Sequence, residues 1–133
     1  MAHISLETTF ADSIRLNRKK SKNQKVKKTF DLDFKVIYDE ENNQKFFIIY
    51  DIKVSDSVNF DLRLEYVAAF STDEAIDQKF KDSDFPIVNA PAIGYPFLRS
   101  IVSLITMNAG YGSVILPSIN FVNFYKVKQL GKK

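Results

Sequence analysis

The stretch 45-KFFIIYDIKVSDSVNFDLRLEYVAAF-70 decides the fold. Residues 45–54 carry apolar side chains at both even and odd positions, whereas from 58 to 70 apolar and polar residues alternate. Alternation is typical of a strand with one buried face, and apolar residues on both faces indicate a central strand. Asp56 and Ser57 supply a tight turn between the two runs. The stretch therefore predicts an antiparallel hairpin with its first strand inside a sheet.

Two further strands are predicted upstream of this hairpin. Residues 30–38 place Phe30, Leu32 and Phe34 on one face and acidic or basic side chains on the other. Residues 4–16 also alternate, with an interruption at 11–13 that indicates a β-bulge. Together the four runs predict a four-stranded antiparallel meander.

After residue 70 the pattern changes from strands to helices. Strands followed by helices are typical of an α+β fold, here a four-stranded antiparallel sheet with helices packed on one face. Residues 81–91 are predicted as a loop, although they carry several apolar side chains that a surface connection does not need. The predicted helices are a short one over 73–80 capped by Ser71 or Thr72, a long one from about Ile93 or Phe97 to Asn108, and a final one over Phe121–Leu130.

The long helix is apolar nearly all round, apart from a thin polar stripe of Arg99, Ser103 and Thr106. One face can cover the sheet, and the other needs a second partner. We therefore expect a homo-oligomer, a dimer or a tetramer. The predicted subunit interface consists of Phe97, Leu98, Ile101, Val102 and Ile105.

Length and composition favour one domain over residues 1–133. The chain has no cysteine, which excludes disulfides and Cys-ligated metal sites. The first ten residues lack a signal-peptide pattern, and no apolar stretch looks long enough to span a bilayer, so we expect a cytoplasmic protein without membrane insertion. Twelve Phe and six Tyr are more aromatic residues than a core of this size requires.

Charge is arranged in blocks. The basic segment, residues 15–28, contains Arg15, Arg18 and six lysines but no acid, and residues 85–133 contain no acid either. A solvated loop, attraction of acidic polypeptide segments and phosphate neutralisation in a nucleic acid are all compatible with the basic segment. No aromatic residue interrupts it, so it lacks the stacking platforms of single-strand binders, and nucleic-acid binding through this segment remains an alternative function.

No set of residues indicates catalysis. His3 is the single histidine and lies at the N-terminus, so a Ser-His or Cys-His pair has no suitable base. The fragment Gly110-Tyr111-Gly112 lacks the lysine and the preceding strand of a phosphate-binding loop. Asp31 and Asp33 share a strand face without the spacing of a calcium loop. We expect no enzyme, no cofactor and no metal.

A resemblance to a known family explains these features together. The segment 94-GYPFLR-99, the apolar helix that follows it, Gly110-Tyr111 and 114-VILPSINF-121 resemble the C-terminal half of SecB, the protein-export chaperone. The resemblance implies a dimer of dimers that holds unfolded polypeptides without ATP, in grooves under the loop between two helices. The client-binding residues that it implies are Phe46, Tyr50, Phe80, Phe85, Ile87, Val88 and Tyr95.

The positions at which this chain departs from the family pattern bear on whether it binds the partner SecA. Ser100 stands where the family usually has Glu, Val122 where it has Asp, and Pro117 lies one position before the usual proline. SecB docks the motor SecA through acidic sheet residues and a C-terminal tail, whereas this chain ends in Gly-Lys-Lys. Asp31, Asp33, Asp61 and Glu65 could still supply an acidic surface. Two functions stay open, a general holdase with or without SecA and a dedicated chaperone of an antitoxin or other single partner.

Overall fold

The structure is a computed structural model that describes residues 3–20 and 25–130, with the backbone alone at 128–130. Lys22 of the basic segment and the C-terminal Gly131-Lys132-Lys133 lie outside the described residues. Four strands are followed by three helices, which confirms the α+β class. The strands are β1 (Ile4–Arg18), β2 (Lys28–Tyr38), β3 (Lys45–Asp56) and β4 (Phe60–Thr72). The helices are α1 (Gln78–Lys81), α2 (Ala90–Asn108) and α3 (Phe121–Leu130), and a π-helical turn (Phe85–Asn89) precedes α2.

The four strands form one antiparallel sheet in the order β1-β4-β3-β2. Only β2, β3 and β4 form a meander, so the prediction of a four-stranded meander is wrong. Arg18 at the end of β1 and Lys28 at the start of β2 lie at the same end of the sheet, separated by three strand spacings of about 4.8 Å each. The nine residues between Arg18 and Lys28 are long enough for this distance, at about 3.3 Å of reach per residue.

The inner face of the sheet carries most of the core. Phe46, Ile48 and Tyr50 on β3 lie opposite Phe70, Ala68 and Tyr66 on β4, and these side chains are buried. The Phe46 and Phe70 rings stack with centroids 5.0 Å apart. β3 lies between β2 and β4, as its two-sided apolar pattern predicts.

Two irregularities place Leu6 and Leu16 of β1 on the inner face, whereas Phe10 between them pairs with Val67 on the outer face. Its pairing with β4 shifts between Leu6 and Thr8 and again between Ala11 and Ser13. The second shift confirms the predicted bulge. After both shifts Leu16 faces the same side as Leu6, because Leu6 pairs with Phe70 and Leu16 with Leu62.

Helix α2 packs on the inner face through a row of residues spaced by four. Gly94, Leu98, Val102 and Thr106 are buried in this row. A Cβ atom at Gly94 would overlap the Tyr50 hydroxyl oxygen and lie 3.0 Å from Ala68 Cβ, so the absent side chain allows the helix to approach the sheet. The Tyr50 hydroxyl group donates a hydrogen bond of 2.6 Å to the Pro91 carbonyl oxygen.

The short helix predicted over 73–80 is irregular from 73 to 77 and helical only from Gln78, and its predicted caps belong to β4. β4 continues to Thr72, because Thr72 pairs with Ile4 and its N–H donates to the Gln44 carbonyl oxygen at 2.8 Å. Ser71 and Thr72 are therefore not helix caps. Asp77 caps α1 instead, since its carboxylate accepts a hydrogen bond of 2.8 Å from the Phe80 N–H.

The predicted loop over 81–91 is partly helical. A π-helical turn begins at Phe85 and continues directly into α2, which begins at Ala90 rather than at Ile93 or Phe97. Pro91 lies in the first turn of α2, where an N–H has no partner within the helix, so it does not interrupt it. The predicted end at Asn108 is confirmed, and Gly110 follows with a positive φ of 93°.

The helical stretch Phe85–Asn108 has 24 residues and a mean hydropathy of 1.2 in its most apolar window. By length and composition it could cross a membrane, contrary to the prediction that no stretch is long enough. Core helices share these properties, and Leu98 and Val102 are packed against the sheet with no exposed surface. Among the described residues it is the one helix that meets these criteria.

Candidate functional site

Three of the predicted client-binding residues belong to the core. Phe46 and Tyr50 are 0% exposed and Tyr95 is 4% exposed, so in this conformation they offer almost no surface to a client, and their client-binding role stays a prediction. Both tyrosine hydroxyl groups are used internally, because Tyr50 donates to Pro91 and Tyr95 donates to the Pro117 carbonyl oxygen at 2.6 Å. Burial raises the pKa of both phenols above its ordinary value, so they stay neutral.

Phe80 and Phe85 lie at the surface end of a ladder of aromatic rings. The Phe46 and Phe80 centroids are 5.4 Å apart, and those of Phe80 and Phe85 are 5.9 Å apart. Both outer rings are half-buried. The ladder anchors the segment around α1 to the core and leaves ring surface accessible beside it.

Clefts flank α1 on two sides. The larger, which we call the α1 cleft, has a volume of about 510 Å³ and is lined by Thr72, Glu74, Ala75, Ile76, Asp77, Lys79, Phe80 and Ser83. The smaller, about 240 Å³, includes Tyr38, Ile76 and Lys81, and the Lys81 ammonium nitrogen lies 4.7 Å from the Tyr38 ring centroid. Ile76 borders both clefts. Sequence reasoning missed it because it lay within the helix wrongly predicted over 73–80.

Ile87 and Val88 lie in the π-helical turn. Both are half-buried, whereas the neighbouring Pro86 is buried. Val88 packs against the core cluster, and its N–H donates to the Asp84 carbonyl oxygen at 2.8 Å. Ile87 therefore offers the more separate apolar surface of the two.

The predicted subunit interface divides between two faces of α2. Leu98 and Val102 are 0% exposed within one chain because they pack against the sheet, and their place in an interface stays a prediction. Ile105 and Ile101 are half-buried. The exposed helix stripe consists of Ile93, Phe97, Ile101, Leu104 and Met107, of which all but Ile101 are classed among the exposed large apolar side chains.

A second groove lies at the other end of the sheet, between β2 and the extended segment that follows α2. This 113–117 groove has a volume of about 310 Å³ and is lined by Lys28, Thr29, Phe30, Val54, Ser113, Val114, Ile115, Leu116 and Pro117. Sequence reasoning did not identify it as a site. The run Val114-Ile115-Leu116 was the available signal, since a solvated loop does not require three aliphatic residues.

The outer face of the sheet carries the charged strand residues. In register, Asp33, Asp51 and Glu65 form a row across β2, β3 and β4, and Asp31 pairs with Lys53 in the next row. The Arg63 guanidinium reaches Asp51 at 3.1 Å. Asp61 forms an ion pair of 3.0 Å with Lys19. The pKa of the Asp61 carboxyl is lowered, mainly by a hydrogen bond from Ser55 and then by the contact with Lys19. The predicted acidic surface is therefore interleaved with cations.

Residues outside these surfaces show little that suggests chemistry. The exposed His3 donates its backbone N–H to the Asp73 carboxylate at 2.6 Å. Over 3–20 and 25–130, the structure contains no group of three or more His, Cys, Asp or Glu side chains that could hold a metal ion.

Comparison with known proteins identifies the family. A family model described as preprotein translocase subunit SecB matches residues 1–132. An uncharacterised protein of Methanocaldococcus jannaschii is 32% identical over an alignment of 124 positions, which covers 86% of this chain and 78% of that protein. The protein-export protein SecB of Roseobacter denitrificans is 35% identical over 75 residues, 56% of this chain and 44% of the relative. The matched part thus spans less than half of that SecB.

Solved structures share the fold. The SecB-like chaperone Rv1957 of Mycobacterium tuberculosis, in complex with a peptide from the HigA1 antitoxin, has a TM-score of 0.71 at 10% identity and covers 87% of this chain and 90% of its own. A Streptococcus agalactiae protein of unknown function has a TM-score of 0.53 at 13% identity, covering 89% and 99%. The sheet and helices described above therefore form a SecB-like fold, and with the family match over 1–132 the chain belongs to the SecB family of chaperones.

Proposed function

We propose that this protein is an ATP-independent holdase of the cytoplasm, which binds unfolded or non-native polypeptides. The observation that carries the proposal is the surface around α1. There the side chains of Ile76, Phe80, Phe85 and Ile87 are only half-buried, although the core beneath them is filled. Apolar surface beside a cleft matches what an extended apolar segment needs, and many such weak contacts give promiscuous binding.

The test is suppression of aggregation. A chemically unfolded model protein is diluted into buffer without ATP, with and without this chain, and light scattering is followed. We expect near-stoichiometric amounts to suppress scattering. A Phe85→Ser/Ile87→Ser variant should bind clients about tenfold more weakly, because two partly exposed apolar side chains contribute about 1.4 kcal/mol to client contact.

The matched control is Ile37→Ser, which removes an exposed apolar side chain on the outer face of the sheet. It should leave suppression unchanged. Circular dichroism and urea unfolding of all three proteins separate lost binding from lost fold. If the folded double variant suppresses aggregation as well as the control does, the surface around α1 is not the client-binding site.

The proposed holdase is a homo-oligomer in which second copies cover the exposed helix stripe. Ile93, Phe97, Leu104 and Met107 are exposed along one side of α2, and burial of such a stripe is favourable at about 25 cal/mol per Å². The stripe lies on α2, whereas the proposed client surface lies around α1 and the π-helical turn, so assembly and client binding use different residues.

A dedicated chaperone with one partner is the second candidate. It is favoured by the fold similarity to the mycobacterial SecB-like chaperone, which was solved with a peptide from an antitoxin. Affinity capture from the native cell distinguishes the two functions, because a holdase retains many polypeptides and a dedicated chaperone retains one. The same experiment tests SecA as a partner of the acidic row on the outer face.

A further inference from the structure

Two parts of the basic segment are held at one turn, which joins β3 to β4. The Lys19 N–H donates to the Asn59 carbonyl oxygen at 2.8 Å. The Ser57 N–H donates to the Lys27 carbonyl oxygen at 3.0 Å. The Ser57 hydroxyl group adds two bonds, because it accepts the Lys27 N–H at 2.8 Å and donates to the Lys25 carbonyl oxygen at 2.9 Å. The backbone that carries these lysines is therefore fixed before any ligand arrives, which lowers the entropic cost of binding.

The acids beside this turn are engaged within the chain. Asp56 is 2% exposed, and one of its carboxylate oxygens accepts the N–H groups of Val58 and Asn59. Asp61 forms its ion pair with Lys19, whose ammonium group also donates to the Asp56 carbonyl oxygen at 3.1 Å. The charges of Asp61 and Lys19 thus compensate each other, and the Asp56 carboxylate is directed into the turn.

Five exposed cations remain at this end of the sheet. Within 3–20 and 25–130 none of them takes part in an ion pair. We call them the basic end, which consists of Arg15, Arg18, Lys20, Lys27 and Lys28. Like charges that are held close together repel each other, and an anionic partner relieves this repulsion. The opposite end of the sheet is acidic, since residues 39–41 and 73–74 supply five acids there.

The Arg18 guanidinium group is also held in place. Its carbon lies 5.0 Å from the Tyr111 ring centroid, and one of its terminal nitrogens donates to the Ala109 carbonyl oxygen at 3.3 Å. The Tyr111 hydroxyl group donates to the Asn59 carbonyl oxygen at 3.2 Å, so the ring is tied to the same turn. A guanidinium plane with a fixed direction suits a phosphate group, which it can bind through two parallel hydrogen bonds.

The basic end presents cations on both sides of the sheet. Arg18 reaches Tyr111 on the inner side, and Lys28 lines the 113–117 groove on that side. Arg15 lies in a row with Arg63 on the outer face. A lipid surface is flat on this scale and can lie against one side only. A sheet is about 10 Å thick and the major groove of B-form DNA is about 12 Å wide, so the two backbones that border the groove can approach both sides.

The basic end favours a duplex over a single strand. Residues 15–28 contain no aromatic side chain, so a single strand finds no stacking platform within the segment. In a duplex the bases are already stacked on each other, and the phosphates alone are presented to lysine and arginine. The narrow major groove of an RNA duplex is less suited to receive the end of a sheet.

From these observations we propose that the basic end binds the phosphate backbones of double-stranded DNA without reading its sequence. Contacts from lysine and arginine to phosphates position a protein on a duplex and carry no information about the bases. The proposal goes beyond the holdase function and does not depend on it, because the surface around α1 lies at the opposite end of the sheet.

The experiment follows a labelled duplex of about 12 base pairs by fluorescence anisotropy, between about 50 and 200 mM salt. With five phosphate contacts, the logarithm of the affinity should fall with the logarithm of the salt concentration at a slope of about −4.5. This slope corresponds to a loss of about 500-fold over that range. A second duplex of unrelated sequence should bind within about twofold of the first.

Two variants locate the contacts. Lys27→Gln/Lys28→Gln removes two of the five charges, so the slope should fall to about −2.7 and the loss over the same range to about 40-fold. The matched control is Lys35→Gln/Lys45→Gln, which removes two exposed lysines from the half of the sheet away from the turn. It should keep the parent slope. Circular dichroism and urea unfolding establish that all three proteins are folded.

Several outcomes overturn the inference. One is a parent protein that does not bind the duplex, and another is a slope that the Lys27/Lys28 variant leaves unchanged or the control lowers equally. Tighter binding to phosphatidylglycerol vesicles, to polyglutamate or to a single strand than to the duplex also overturns it, since the partner would then belong to another class. Aggregation suppression is measured on the same three proteins. Its absence contradicts the proposed function and leaves the duplex inference standing.

Discussion

Replacing Gly94 by alanine tests how closely α2 approaches the sheet. In an exposed helix this change stabilises by about 1 kcal/mol, because glycine is a poor helix former. Here the added Cβ overlaps the Tyr50 hydroxyl oxygen, which must retreat by roughly 1 Å to reach an ordinary contact distance. Tyr50 is fully buried and its hydroxyl group is bonded to the Pro91 carbonyl oxygen, so this retreat has a cost.

The balance of these contributions decides whether Gly94→Ala raises or lowers the free energy of unfolding. Overpacking in a core costs about 1–3 kcal/mol, and a weakened buried hydrogen bond costs about 1 kcal/mol more. After the gain in helix propensity, we expect Gly94→Ala to lower the free energy of unfolding by about 1–3 kcal/mol. The measurement is urea unfolding at one fixed protein concentration, since oligomerisation makes stability depend on concentration.

A double-mutant cycle with Tyr50→Phe isolates the cause. Without the hydroxyl oxygen, the nearest known neighbours of the added Cβ are Ala68 Cβ at 3.0 Å and the Tyr50 ring carbon Cε2 at 3.3 Å, contacts that small shifts can relieve. Gly94→Ala should then cost at least 1 kcal/mol less than in the parent protein. Gly112→Ala is the matched control, because no atom lies within 4 Å of its Cβ position. A Gly94→Ala protein as stable as the parent would refute the close approach.

Three further predictions concern a turn, a groove wall and assembly. Burial raises the pKa of Asp56, but hydrogen bonds from Val58 and Asn59 and the charge of Lys28 outweigh this effect, so the pKa lies below its usual value. The stability that results is present above about pH 4 and is lost as the pH falls further. Asp56→Asn should therefore flatten the acid dependence of the free energy of unfolding, measured by urea unfolding at several pH values. Thr106→Val deprives the buried Val114 N–H of its acceptor and should lower the free energy of unfolding by about 1–3 kcal/mol, whereas an unchanged value would mean that the N–H finds another partner. Phe97→Glu/Leu104→Glu should reduce the mass measured by light scattering coupled to size-exclusion chromatography, with Lys79→Glu as a control that leaves it unchanged.

Strand positions and their buried faces could be predicted because a strand repeats every two residues and the core lies on one side. The two-sided apolar pattern of β3 also indicated its central place. The neighbour of β1 could not be predicted, because alternation is the same whichever edge a strand joins. The start of α2 was predicted too late because of its two prolines. Pro91 is typical of a loop, but it also fits the first turn of a helix, and this is its place in the structure.

The candidate site was predicted only in part because apolar residues serve both core and surface. Phe80 and Phe85 are aromatic like Phe46 and Tyr50, yet only the first two retain accessible surface. On α2 the residue that could have distinguished the sheet-facing side from the exposed side is Gly94. A small residue marks the line of closest approach, and residues four and eight positions later, Leu98 and Val102, must then face the sheet. The opposite side of α2 then stays at the surface of the single chain.

The apolar surfaces stay open because polar contacts hold the segments that border them. At one end of the sheet Asp77 caps α1 through the Phe80 N–H, which fixes the ring ladder beside the α1 cleft. At the other end Thr106 and Arg99 hold the 113–117 wall away from β2. Hydrophobic attraction alone has no direction and would draw both segments onto the nearest apolar surface. Directed hydrogen bonds oppose that collapse, so a chaperone built this way can expose apolar side chains to clients while its own chain remains folded.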